Sequence, residues 1–406
     1  MGAGIEPSTV VLTERRTTIC RLTRPDVDFL LSAHRASIDL LPAGRRGQYR
    51  LTPKGHVGIV VCPTCRLLIR PKIPIGNLFH LLDPTGPVPT ALDQSTPSAG
   101  AEGLDFLAGR LAHLLQERSI LGLHRAYRER ADRGPFLQGQ LDLPAQLNGR
   151  DRRKDQLHCR FEDFTADVPC NQIPKATAER ALRSPLLGAT VRSSLRRALE
   201  PFASVTSITL DRDSFATATT DRLNEEYRPL LDLCRILLDS LGPGEQSGAI
   251  ACPAFLLDME KVFERYVTAA VARVVAGSSH ITVSVQPLHV ANRSEANLPD
   301  IQLRPDFTIA VDGRLALVGD AKWKSLIGSP LVTADLYQVI TYCAALGGVK
   351  RGLLVYPGRR DRVWSYDLPR GSMAVEIRTL RVTGKRADCA RSLRRLARSV
   401  RNHKCA

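Results

Sequence analysis

The stretch Arg304-Pro305-Asp306-Phe307-Thr308-Ile309-Ala310-Val311-Asp312-Gly313-Arg314-Leu315-Ala316-Leu317-Val318-Gly319-Asp320-Ala321-Lys322-Trp323-Lys324 decides how the C-terminal part of this chain folds. Two apolar runs flank Asp312-Gly313, a dipeptide suited to a tight hairpin because both positions tolerate left-handed backbone. Asp320 and Lys322 are two residues apart and so point to one face of the second strand. Parity decides whether Asp306 joins them. A two-residue loop at Asp312-Gly313 pairs Asp306 with Gly319 and sets it on the opposite face from Asp320. A three-residue loop with Gly313 left-handed pairs it with Val318, diagonally beside Asp320. An odd-length loop or a bulge is therefore expected.

Two carboxylates and a lysine converging on one sheet face have a definite chemical use. Carboxylates hold Mg²⁺, a hard cation that takes oxygen ligands and retains waters for reaction. The metal polarises a phosphodiester and acidifies a bound water. Lys322 can orient that water or stabilise charge developing on phosphorus. Pro305-Asp306 followed by Asp320-Ala321-Lys322 resembles the PD-(D/E)xK nuclease pattern, although a surface hairpin with ordinary charges would read the same way. Glu264, in a helix expected over 259–274, offers a third acidic group; its bland alternative is a solvent-facing glutamate. A second Pro-Asp, Pro299-Asp300, is set aside because only Asp306 runs directly into an apolar strand. Gln338 and Tyr342 stand i,i+4 on one helix face. They are placed to steady the lysine or a DNA phosphate, or, for Tyr342, simply to pack.

Working outward, the expected fold class is multidomain α+β. Residues 1–82 read as a β-rich N-terminal domain: Val57-Gly58-Ile59-Val60-Val61 and Leu67-Leu68-Ile69 are strands around a turn at Cys62-Pro63-Thr64-Cys65, stopped by Pro71 and Pro74. Residues 83–103, rich in Pro, Gly, Ser and Thr, read as a linker or mobile loop. Residues 104–250 read as a mostly helical middle domain, with Leu104, Leu107, Leu111, Leu114 and Leu115 at helical spacing and a strand-like alternation over 136–143. Residues 251–406 read as an α/β restriction-endonuclease-like domain closed by a basic helix.

The 406 residues carry 57 Lys+Arg against 41 Asp+Glu, a net charge of +16. The segment from Gly358 onward holds 14 Lys/Arg and 4 Asp/Glu, so most of the surplus lies there. Such an excess suits a polyanion, since neutralising phosphates releases condensed counterions. Within it, Leu393, Leu396 and Val400 make an apolar stripe, and Arg394, Arg395, Arg398 and Arg401 make a basic face expected either to contact DNA or to lie solvated. Only 5% of the residues are aromatic, too few for a base-stacking platform. No apolar run is long enough to span a membrane, and ten mostly scattered cysteines fit a reducing cytoplasm. Cys62 and Cys65 form a single CxxC. Zinc would need two further ligands, with His56 and His80 the nearby histidines, so two free thiols in a turn are expected.

Taken in order along the chain, these motifs are similar to the McrC family, the nuclease subunits of McrBC-type restriction systems. The resemblance rests on Arg304-Pro305-Asp306, Asp320-Ala321-Lys322-Trp323-Lys324, Gln338 with Tyr342, Leu67-Leu68-Ile69-Arg70-Pro71-Lys72-Ile73, the segment from Gly122-Leu123 to Tyr127, and Asp167 with Asn171 and Lys175. It implies catalytic roles for Asp306, Asp320, Lys322 and Glu264, with Asp306, Asp320 and Glu264 as Mg²⁺ ligands and Lys324 in support. It also implies a McrB-like AAA+ GTPase hexamer as partner, whose hydrolysis the chain stimulates through its N-terminal and helical parts. Methylated double-stranded DNA is the implied substrate. The chain has no Gly-x-x-x-x-Gly-Lys-Ser/Thr of its own, so GTP would enter through the partner alone. Two other functions fit some of the residues. A stand-alone RecB-like repair exonuclease would use Gln338 and Tyr342 but leaves the N-terminal half idle; a non-catalytic GTPase-activating adaptor would not need Asp306, Asp320 and Lys322.

Overall fold

The turn at Asp312-Gly313 is two residues long, and both residues are left-handed, Asp312 at φ 50° and Gly313 at φ 77°. The odd residue enters instead as a bulge. Ile309 pairs with Leu317 while Ala310 pairs with Leu315, which leaves Ala316 without a partner. This shift pairs Phe307 with Gly319 and brings Asp306, just before the strand, level with Asp320. Both carboxylates therefore fall on one face, directly across the ribbon and not diagonally.

These details come from a computed structural model that describes residues 8–83, 99–148, 156–210, 214–217, 224–241, 254–276, 278–290, 302–326, 332–368 and 373–402. Most of the expected 83–103 linker, and Pro299-Asp300, lie outside the described residues. The chain divides into two compact units, one of Met1–Gly100 with Leu256–Ala406 and the other of Ala101–Phe255. Residues 1–82, read from the sequence as a region of their own, thus share a unit with the C-terminal part.

The first unit begins with β1 (Ser8–Thr13), β2 (Thr18–Arg21), α1 (Arg24–Ala33), β3 (Ile38–Pro42), β4 (Gln48–Pro53), β5 (His56–Val61), β6 (Cys65–Arg70) and α2 (Ile75–Leu82). Strand β6 takes β1 in parallel and β5 in antiparallel, while β2, β4 and β3 form a separate antiparallel sheet. β6 ends just before Pro71, and Pro74 caps α2, as the loss of backbone donors requires.

The middle unit holds α3 (Ala99–Leu121), β7 (Ala126–Gly134), β8 (Gln140–Leu141), α4 (Leu143–Asn148), β9 (Leu157–Thr165), α5 (Pro169–Arg183), α6 (Ala189–Leu199), a single turn α7 (Ser214–Thr217) and α8 (Arg228–Ser240). Leu104, Leu107, Leu111 and Leu115 of α3 are buried, as their spacing predicts. The strand expected over 136–143 shrinks to the two residues of β8. Pro135 supplies no ladder donor, and Gly139 at φ 65° bends the chain, packed so close to Arg160 that a Cβ would lie 2.4 Å from its carbonyl oxygen.

The chain returns to the first unit through β10 (Ala254–Asp258), which joins the sheet β1-β6-β5-β10, and continues as α9 (Met259–Val275), N-capped by the Asp258 carboxylate. Then follow β11 (Ile281–Val285), β12 (His289–Val290), β13 (Gln302–Leu303), β14 (Phe307–Val311), β15 (Arg314–Ala321), α10 (Val332–Ala345), β16 (Arg351–Gly358), β17 (Arg362–Asp367), β18 (Ala374–Arg381) and α11 (Arg386–Asn402). They build a six-stranded mixed sheet, β11-β14-β15-β16-β18-β17. β15 and β16 are parallel, so α10 is the crossover between them. Val318, Val339, Tyr342, Cys343, Leu354 and Tyr356 form the core under α10. Gly319, facing the other way, is covered by the Phe307 ring. No described helix is long and apolar enough to cross a membrane.

Candidate active site

Strand β15 is buried from Leu317 to Ala321, and its end carries the charged groups. Asp320 is 1% exposed. The Lys322 ammonium stands 2.7 Å from Asp320 Oδ2. That contact is a charge-assisted pair between two largely buried groups. Asp306 is oriented by the Ala321 amide, which donates to its Oδ2 at 2.6 Å. Glu264 reaches the cluster from α9 and accepts a 2.5 Å hydrogen bond from Gln286 Nε2. Gln286 follows β11 with a left-handed φ of 47°, and its own amide donates to the Asp306 carbonyl at 2.8 Å. It therefore ties two of the acidic residues together.

Charge crowding shows in the protonation equilibria. Burial first, then Asp320 and Glu264, push the Asp306 carboxyl up to about 8 despite the Ala321 amide. Glu264 is raised by burial and by Asp320, against Gln286 and Arg265. Asp320 is raised by burial against the pull of Lys322. For Lys322, burial disfavours the charge, but Asp320 and Asp306 more than offset it and keep the ammonium protonated.

Around this group, Lys324 Nζ bonds Asp335 Oδ1 at 2.8 Å, and the Tyr356 hydroxyl donates to Asp335 Oδ2 at 2.8 Å. Between the two lysines, the buried Trp323 donates its indole N–H to Glu14 Oε1 at 2.6 Å, with the Lys72 ammonium 4.3 Å from the ring centroid. The strand end that carries Lys322 is thereby pinned to the end of β1.

The donor set fits a hard divalent cation. Three buried or part-buried carboxylates act on one another's charge, with Lys322 the cation paired directly to Asp320. The oxygens of Asp306, Asp320 and Glu264 do not all lie within 4.8 Å of one another. Asp306, Asp320 and Glu264 are the side chains that would hold the ion, with waters filling the remaining positions.

Residues 51–357 match the family described as the McrBC 5-methylcytosine restriction system component. The chain belongs to this family. The McrBC-family match spans Glu264, Asp306, Asp320, Lys322, Lys324, Gln338 and Tyr342, and stops before the basic helix α11. Among solved structures, a chain of the refined half-complex from the tetradecameric assembly of Thermococcus gammatolerans McrB AAA+ hexamers with bound McrC is similar at 16% identity and TM-score 0.49, over 97% of this chain and 100% of that one. A chain of the Thermococcus gammatolerans McrBC complex is similar at 19% identity and TM-score 0.43, over 67% of this chain and 90% of that one. No curated protein matches.

Other residues of this McrBC-family sequence have hydrogen-bond partners of their own. Gln338 Nε2 bonds the Tyr342 hydroxyl at 2.8 Å, and Tyr342 belongs to the core under α10, so the pair bonds itself and not Lys322. Asn171 donates to the carbonyls of His124 and Ala166 and accepts from Tyr227, Asp167 accepts from Thr206, and Lys175 donates to the Phe202 and Val205 carbonyls. These three residues hold the middle unit's framework. In α11, Leu393, Leu396 and Val400 are buried while Arg394, Arg395, Arg398 and Arg401 are exposed; Arg395 also reaches Asp361 at 3.3 Å. Asp335 and Gln286 escaped sequence reasoning. Asp335 lies i,i+3 before Gln338, a legible signal; Gln286 gave none.

Proposed function

We propose that this chain is the DNA-cleaving subunit of a modification-dependent restriction complex, a Mg²⁺-dependent endonuclease of the PD-(D/E)xK type. The observation that carries the reading is the bulge that sets Asp306 level with Asp320, with the Lys322 ammonium 2.7 Å from Asp320. Membership of a family described as a 5-methylcytosine restriction component supports DNA, and methylated DNA, as the substrate. Mg²⁺ supplies a polarised phosphodiester and an acidified water when bound.

The chain's own groups divide the rest. Asp306, Asp320 and Glu264 form the acidic cradle, and Gln286 keeps Glu264 turned toward it. Lys322, held protonated by Asp320, stabilises negative charge as it accumulates on the scissile phosphate. Asp335, itself bonded by Tyr356, keeps Lys324 beside the strand end. The exposed arginines of α11 track backbone phosphates, a contact that positions DNA without reading its sequence. Nucleotide hydrolysis belongs to a partner AAA+ GTPase, because this chain carries no P-loop. Residues 1–82 and the middle unit engage and stimulate that partner.

One experiment separates the parts. Methylated DNA is incubated with this protein alone, then with its AAA+ partner, GTP and Mg²⁺. Cleavage is expected only in the complete mixture, and Asp320→Ala is expected to abolish it while leaving stimulation of the partner's GTPase intact. Cutting without partner or GTP would instead support the exonuclease reading. Loss of both activities in a folded variant would refute the division of labour.

A further inference from the structure

Far from the carboxylate cluster in sequence, the turn between β5 and β6 places two thiols against a buried carboxylate of α1. Cys62 and Cys65 flank Pro63-Thr64, and the Cys62 amide bonds the Cys65 carbonyl at 2.8 Å, so both side chains leave the hairpin on one side. Asp26 comes to them from the first turn of α1. One ligand atom from each of the three residues lies within 4.8 Å of the other two. All three are buried, at 1% exposure for Asp26, 3% for Cys62 and 4% for Cys65. A four-coordinate zinc site with bonds of about 2.3 Å to sulfur and 2.0–2.2 Å to oxygen separates neighbouring ligands by roughly 3.5–3.8 Å. The trio is thus preorganised to within about an ångström of that geometry.

We propose that Asp26, Cys62 and Cys65 bind a zinc-class divalent cation that fastens α1 to the β5–β6 turn.

Two features favour it. Asp26 Oδ2 is saturated by Thr23 and by the Thr64 hydroxyl, but Oδ1 accepts only the Thr64 amide at 2.9 Å and keeps a lone pair for a metal. Those bonds fix the carboxylate's orientation with Oδ1 on the side of the Cys62–Cys65 turn. Two cysteine sulfurs beside one carboxylate oxygen make a soft donor set, and such a set selects zinc over the hard cations suited to the Asp306 site. The Cys20 thiol, half-buried on β2, lies in electrostatic range of Cys65 and outside the 4.8 Å group, so the fourth position falls to it or to a water.

Elemental analysis of the full-length protein, purified without added metal or chelator, tests this. Zinc equimolar with the chain is expected, lost in Cys62→Ser and Cys65→Ser and retained in Cys234→Ser, a buried cysteine of α8, and in Asp320→Ala. If the Cys62 and Cys65 variants fail to fold, wild-type protein refolded with Co²⁺ provides the second readout: a thiolate-to-cobalt charge-transfer band is expected. Absence of zinc together with absence of that band overturns the proposal. So does a Cys62–Cys65 disulfide found by mass spectrometry in the protein as purified.

Discussion

Gly319→Ala is expected to damage the fold that presents Asp320, although it adds one carbon. An ideal Cβ at Gly319 would lie 2.0 Å from Phe307 Cζ and 2.5 Å or less from both ring Cε atoms. Ordinary carbon–carbon contacts lie at about 3.5–4.0 Å, so the overlap is roughly 1.5 Å. Phe307 is itself fully buried and paired with Gly319 in the ladder, so the ring has nowhere to swing without moving β14. Overpacking of this kind destabilises by about 1–3 kcal/mol, here at the upper end because the whole ring face is involved. Both tryptophans, Trp323 and Trp364, fall in Leu256–Ala406, so intrinsic fluorescence in a urea titration reports that unit alone. A lower midpoint is expected for Gly319→Ala, with most of the loss recovered in the double variant Gly319→Ala/Phe307→Leu through non-additive coupling. A single variant within about 0.5 kcal/mol of wild type, or no recovery in the double variant, would refute the claim that ring-over-glycine packing fixes this register.

Other perturbations reach different groups. Saturating Mg²⁺ is expected to raise the same fluorescence midpoint, by about 2.7 kcal/mol at a hundredfold excess over Kd, and Asp306→Asn to remove that gain. Glu14→Ala leaves the buried indole N–H of Trp323 without an acceptor, an expected loss of about 1–3 kcal/mol in the urea titration, and Glu14→Gln should restore much of it. His80 is buried against Tyr266, and burial first, then Arg386, depress its pKa to about 4. The unfolded chain binds that proton near 6.5 while the folded chain does not, so this contribution is full above 6.5 and is lost as pH falls toward 4. At about 1.4 kcal/mol per pH unit the loss approaches ~3 kcal/mol, and thermal denaturation of His80→Asn should show a shallower decline over that window.

Much of the site was legible because hairpin parity and i,i+2 spacing are local rules. Asp320 with Lys322 follows from strand alternation alone, and the need for one odd residue follows from Asp306. The bulge at Ala316 was not legible in position, because nothing in Leu315-Ala316-Leu317 distinguishes one site of insertion from another. Long-range partners were also hidden. Glu14 meets Trp323, and Gln286 meets Glu264, through tertiary packing that leaves no periodic trace. The strand expected at 136–143 failed for a local reason, since the alternation runs through Gly139, whose left-handed backbone bends the chain. Tyr342 shows that i,i+4 spacing places two residues together without saying which way the pair faces.

The interleaving of Met1–Gly100 with Leu256–Ala406 has a consequence during synthesis. Glu14 leaves the ribosome long before Trp323, 309 residues later, has been translated. At about 5–20 residues per second that interval is roughly 15–60 s, during which the 101–255 segment emerges complete and free to fold while the opening strands wait for their partners. A nascent chain stalled once residues 101–255 have cleared the ribosome should therefore carry a protease-resistant middle and a sensitive beginning.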